Sequence, residues 1–146
     1  MDKLITGVDE ILDSLENGGD LDSVAMNEWQ ELLLKHPNGV PISNINSGEQ
    51  WDLPNGWSPY QFLLIKTLIR FHEENFGQNP TYKRLALHLA TKWLQTNYCA
   101  YKANGGFYEK YSVTGPRGEL GGGGEYKVVE GEWNLFLQRF AVEFAN

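Results

Sequence analysis

The apolar positions recur at helical spacing along most of the chain. Leu4, Ile5, Val8, Ile11, Leu12 and Leu15 mark one face of a segment running from residue 2 to about residue 16. Asp9, Glu10, Asp13 and Glu16 fall on the remaining, solvated face, and Asn17-Gly18-Gly19 ends the helix. A second helix is expected from Asp22 or Ser23 to His36 through Val24, Trp29, Leu32 and Leu33. It stops before Pro37, because a residue preceding proline is pushed out of the helical region.

From Pro37 to Trp57 the pattern gives way to Pro, Gly, Asn and Ser, which marks a long loop. Ser58-Pro59-Tyr60-Gln61 then supplies an N-cap, a first-turn proline and a residue able to close a capping box. The helix it opens carries Phe62, Leu63, Ile65, Leu68, Ile69 and Phe71 to about Asn75, an apolar arc wide enough to pack on more than one side. After Phe76-Gly77-Gln78, a second helix starts at Asn79-Pro80 and runs to about Tyr101 through Leu85, Ala86, Leu89, Ala90, Trp93, Leu94 and Tyr98. The two are expected to be antiparallel. Residues 104 to 131 are glycine-rich, and Leu135 to Phe144 suggests a short final helix. No segment shows a persuasive strand period. The pattern predicts an all-α fold with long loops at one end.

Composition narrows the function. A chain of 146 residues has the length of one ordinary domain. Its net charge of −7 disfavours nucleic acid, whose phosphates require Lys and Arg. The single cysteine, Cys99, excludes a disulfide framework and a multi-cysteine metal site and is expected to pack as a small helix residue. His36, His72 and His88 have no further ligands at metal-binding spacing, so no metal or cofactor is expected. Nothing at the N-terminus has the form of a leader, and no apolar run reaches the length of a membrane span, so the sequence assigns no compartment.

The chemistry concentrates in Glu49-Gln50-Trp51-Asp52-Leu53-Pro54-Asn55-Gly56-Trp57-Ser58-Pro59. Indole faces cover flat apolar ligand faces, while Gln50, Asp52 and Asn55 offer donors and acceptors for hydroxyl groups. That combination suits a sugar. Taken singly, each residue is better read as part of a turn with two tryptophans tucked into the core, and only the joint arrangement reverses that preference. The run Gly121 to Gly124 reads as a linker or an anion loop, but Glu125 follows it and would repel an anion.

These residues carry a family resemblance. Gln50-Trp51-Asp52-x-Pro54-Asn55-x-Trp57-x-Pro59 resembles the second signature of trehalases, inverting glycoside hydrolases that split α,α-trehalose into two glucose molecules. Gly39-Val40-Pro41-x-Ser43 precedes it, and Glu109-Lys110-Tyr111 and Gly121-Gly122-Gly123-Gly124-Glu125-Tyr126 follow, all in the family's order over roughly residues 38 to 131. An unrelated helical interaction module would leave these ordered matches to chance.

The resemblance implies that the chain is a single partial domain, roughly the last third of an (α/α)6 toroid of paired helices with the sugar site at one mouth. Helix faces left uncovered would then favour self-association. It further implies Glu109 as the general base, with Lys110 beside it helping to hold the carboxylate ionised. Gln50 and Glu125 would bind substrate, Trp51 and Trp57 would shape the pocket, and Asp52 would face either the sugar or the backbone of its own loop. Inverting hydrolysis also needs a general acid, with the two carboxyl groups roughly 6.5–9.5 Å apart to admit a water. The family's acid, an aspartate in a Gly-Trp-Asp-Phe context, has no match in this chain, nor have the arginines that clamp the glucose. Ser112 stands where trehalases usually have aspartate, and Glu132-Trp133-Asn134-Leu135-Phe136 replaces the family's run after Glu130-Gly131. The expectation is a trehalase-like hydrolase segment that supplies the base but not the acid and releases no measurable glucose from trehalose. The alternative is a non-catalytic remnant that binds a sugar weakly or not at all.

Overall fold

The structure is a computed structural model, and it describes residues 31–74 and 80–122. The expected helix over residues 2–16, the connection Phe76-Gly77-Gln78, Glu125 and the final helix lie outside the described residues, as does most of the expected helix ending at His36. The chain divides into two compact units, residues 1–35 and 36–146. In the first, residues 31–34 are helical. The second contains β1 (Asn55–Trp57), α1 (Ser58–Glu74), α2 (Pro80–Asn104) and β2 (Lys110–Ser112). None of the described helices is long and apolar enough to cross a membrane.

The helix pair forms where the periodicity placed it. Helix α1 starts at Ser58 as expected, and α2 starts at Pro80 and continues slightly beyond Tyr101 to Asn104. Phe71 meets Tyr82 at 6.0 Å between ring centroids, and Ser58 meets Trp93, so the start of each helix lies against the end of the other and the pair is antiparallel. Gln61, Ile65 and Leu68 form the buried stripe of α1, facing Tyr82, Leu85, Ala86, Leu89, Ala90 and Trp93 of α2. The wide apolar arc expected of α1 is only partly covered among the described residues, since Leu63 is 63% exposed. Gln61, expected to close a capping box, instead holds Val40: its Oε1 accepts from the Val40 amide at 3.0 Å while its Nε2 donates to the Val40 carbonyl.

The fold is mostly helical, but it is not free of strands. Strands β1 and β2 pair antiparallel, with Asn55 opposite Ser112, Gly56 opposite Tyr111 and Trp57 opposite Lys110. Each strand is three residues long, too short for an alternating pattern to register, and its pairing joins segments far apart in sequence.

Residues 36–40 cross this unit without regular secondary structure, and side chains satisfy their carbonyls. Lys92 Nζ donates to the His36 carbonyl at 2.9 Å, Arg117 to the Pro37 carbonyl at 3.4 Å, and Thr96 Oγ1 to the Asn38 carbonyl at 2.9 Å. Asn38 Nδ2 donates in turn to the carbonyls of Gly115 at 2.7 Å and Ser112 at 3.2 Å. Burial, and secondarily the charge of Arg117, lowers the pKa of the Lys92 ammonium. The hydrogen bond to His36 offsets part of the desolvation cost of that ammonium.

Two phenols are buried in the same unit. Burial pushes the pKa of Tyr82 up to about 12 and that of Tyr111 up to about 12. The Tyr108 amide donates to the Tyr111 hydroxyl oxygen at 2.8 Å and opposes part of the latter shift. An unfolded tyrosine loses its proton near pH 10, while the folded phenols keep theirs to about pH 12. Between these values the folded state binds more protons, so stability present below pH 10 is lost as pH rises through this window. The urea midpoint is expected to fall progressively from about pH 10. Tyr111→Phe should shrink that fall, and an equally steep fall in Tyr111→Phe would rule out Tyr111 as a source.

Candidate active site

The loop before β1 is braced by its own polar groups. Glu49 O accepts from the Asp52 amide at 3.1 Å, Asp52 O accepts from the Asn55 amide at 2.9 Å, and Ile45 O accepts from the Leu53 amide at 2.9 Å. The Ser47 hydroxyl donates to the Asp52 carboxylate, and the same hydroxyl oxygen accepts from the Glu49 amide at 3.2 Å. Asp52 therefore engages a side chain of its own loop, a partner that the choice between sugar and backbone left out. The Leu53–Pro54 peptide is cis, and Pro54 O accepts from the Val113 amide at 2.8 Å.

The two indoles of the loop are stacked, with ring centroids 4.1 Å apart and planes 12° from parallel. Trp57 is buried and Trp51 is 54% exposed, so one indole is anchored and the other lies open. Trp57 Nε1 donates to the Gln50 carbonyl at 3.1 Å, which ties the loop's backbone to the anchored ring. The Lys110 ammonium lies over the Trp57 ring, 5.6 Å from its centroid. A buried cation against an indole is a favourable pairing, because the ring quadrupole presents negative charge at its face. Sequence reasoning set Lys110 beside the Glu109 carboxylate. The structure places its ammonium on Trp57, a contact that depends on their opposition in the β1–β2 ladder and leaves no mark in the sequence.

That ladder also brings the candidate base to the loop. Glu109 immediately precedes Lys110, the partner of Trp57, and is half-buried. Gln50, Trp51, Asp52, Trp57 and Glu109 thus belong to one small region assembled from two distant stretches of chain. Asn55 departs from the sequence expectation. It is buried, and its side chain bonds to backbone groups of Glu49 and Gly122 rather than being available to hydroxyl groups of a ligand. Among the described residues, no group of three or more His, Cys, Asp or Glu side chains could hold a metal ion.

Comparison with known proteins gives this region a context. The family model described as Trehalase matches residues 16–133. A probable trehalase of Oryza sativa subsp. japonica is 43% identical over 106 residues, covering 73% of this chain and 18% of the relative. The trehalase of Pimpla hypochondriaca is 41% identical over 99 residues, covering 68% of this chain and 16% of the relative. Human trehalase is 38% identical over 99 residues, with the same 68% and 16% coverage. The chain spans less than a fifth of the length of these relatives. A match of this extent, running through the paired strands, the stacked indoles and Glu109, shows that the chain belongs to the trehalase family.

Proposed function

We propose that this chain contributes one wall of a trehalose site in a trehalase-like, inverting glycoside hydrolase. Its helix pair forms part of an (α/α)6 toroid, of which the chain supplies a portion. Glu109 acts as the general base, taking a proton from the water that attacks the anomeric carbon on the face opposite the departing sugar. Gln50, Trp51 and Glu125 bind the glucose unit, Trp57 shapes the pocket from beneath by backing Trp51, and Asp52 holds the loop that presents Trp51. The observation that supports this most directly is the open Trp51 face stacked on the anchored Trp57, in a ladder whose other strand follows Glu109. An exposed, rigid indole is a platform for the apolar face of a sugar.

A titration of the chain with trehalose, followed by tryptophan fluorescence, tests this. The expected result is a saturable change in emission that Trp51→Ala removes without altering the melting temperature, since Trp51 is largely exposed. Absence of any response in the unmodified chain would defeat the sugar-site reading. Glucose release from trehalose is not expected, because no residue of this chain matches the family's general acid. That same absence favours a second reading, a remnant that retains the family's loops without turnover.

A further inference from the structure

Asn55 sits in the middle of the loop region but is only 1% exposed. Its carboxamide bridges two backbone groups from distant parts of the chain. Oδ1 accepts from the Gly122 amide at 2.7 Å, and Nδ2 donates to the Glu49 carbonyl at 3.4 Å. Its backbone is at the same time opposite Ser112 in the ladder and bonded to Asp52. One buried residue therefore ties together, through its side chain, the loop that carries Gln50 and Trp51 and the start of the glycine run, and, through its backbone, the strand that follows Glu109. A carboxamide is suited to this task because it offers an acceptor at one end and a donor at the other. A carboxylate offers acceptors alone, and a leucine of similar size offers neither.

We propose that Asn55 is a positioning residue for the sugar site, fixing the glycine run at Gly122 against the loop that presents Trp51. The inference rests on the sugar-site reading above. Asn55 touches no ligand and acts through Gly122 and Glu49. Gly122 is exposed, with open space where a Cβ would stand, and its amide reaches back to the buried Asn55.

The test combines three variants of the full chain with two readouts, amide hydrogen exchange at Gly122 and fluorescence titration with trehalose. In the unmodified chain the Gly122 amide is expected to be protected. Asn55→Leu should expose it and raise the trehalose half-saturation roughly tenfold, the scale of one lost hydrogen bond. Asn55→Asp keeps the acceptor for Gly122 but turns a carboxylate oxygen on the Glu49 carbonyl, so it should recover Gly122 protection and only part of the affinity, a split that a general packing role would not give. If Asn55→Leu does not fold, Gly122→Pro removes the donor from the exposed side of the same bond and should shift the half-saturation similarly with an unchanged melting temperature. A response to trehalose in Gly122→Pro equal to that of the unmodified chain would overturn this inference alone. No response in the unmodified chain would overturn the sugar-site reading and this inference with it.

Discussion

Trp93→Ala is expected to lower the unfolding free energy by about 3–5 kcal/mol, the range for removing a buried tryptophan or phenylalanine from a core. The indole is fully buried, stands edge-on to Tyr111 at 5.5 Å, and donates from Nε1 to the Ser58 hydroxyl at 3.2 Å. Its ring also occupies the space that side chains at two glycines would need. A Cβ on Gly39 would lie 2.8 Å from the ring, and one on Gly56 would lie 3.2 Å from it and 2.5 Å from the Val113 side chain. The segment 36–40, β1, β2 and the start of α1 thus close on this one side chain. Small domains have about 5–15 kcal/mol in total, so the loss is a large fraction of what holds the unit together. Urea denaturation monitored by circular dichroism measures it. A double-mutant cycle sharpens the reading: Gly39→Ala should cost less in Trp93→Ala than in the unmodified chain, because the clash with the indole is gone while the backbone strain at a φ of 153° remains. Additive costs would show that Gly39 is not fitted to the indole.

Glu109→Gln is expected to cut any base-dependent turnover by about 10²–10⁴-fold. Trehalose is a poor substrate for seeing this, because its leaving sugar must be protonated and this chain has no residue matched to the acid. α-Glucosyl fluoride removes that requirement. Water attacks the anomeric carbon, its proton passes to Glu109, the carbon–fluorine bond breaks, and fluoride departs without protonation. The first product is β-glucose, the inverted anomer. Slow fluoride release is expected from the unmodified chain, with Glu109→Gln losing the release while keeping the fluorescence response to trehalose. Equal release from both proteins would remove Glu109 from the base role. Trehalose binding without fluoride release from either would favour the remnant reading.

The helix pair was legible because its signals are local. Ser58-Pro59 and Asn79-Pro80 set the starts, and an apolar stripe at helical period set the buried faces of Ile65, Leu68, Leu85 and Leu89. The ladder was not legible, since three residues at 55–57 and three at 110–112 carry no period and their pairing is a tertiary fact. The composition of the loop proposed a chemistry for this region but did not give the place of each residue in it. Asn55 and Trp57 read as ligand-facing by type, yet both are buried, and the contact of the Lys110 ammonium with the Trp57 indole had no local signal. Residue type proposes a chemistry, and burial then decides whether that chemistry faces a ligand or the protein itself.

The way residues 36–40 are held has a consequence for sequence variation. Lys92, Thr96 and Arg117 grip carbonyl oxygens, which every amino acid provides, and Gln61 grips both polar groups of the Val40 backbone. Replacing Pro37 or Val40 would leave those bonds available, whereas replacing Lys92, Thr96 or Gln61 would strand a carbonyl or an amide in the interior. Inherited changes that dislodge this segment should therefore include ones in the two helices, at a distance in sequence from the segment that moves. A variant at position 92 would be read as a defect of α2, and its effect would be felt where the chain enters the site.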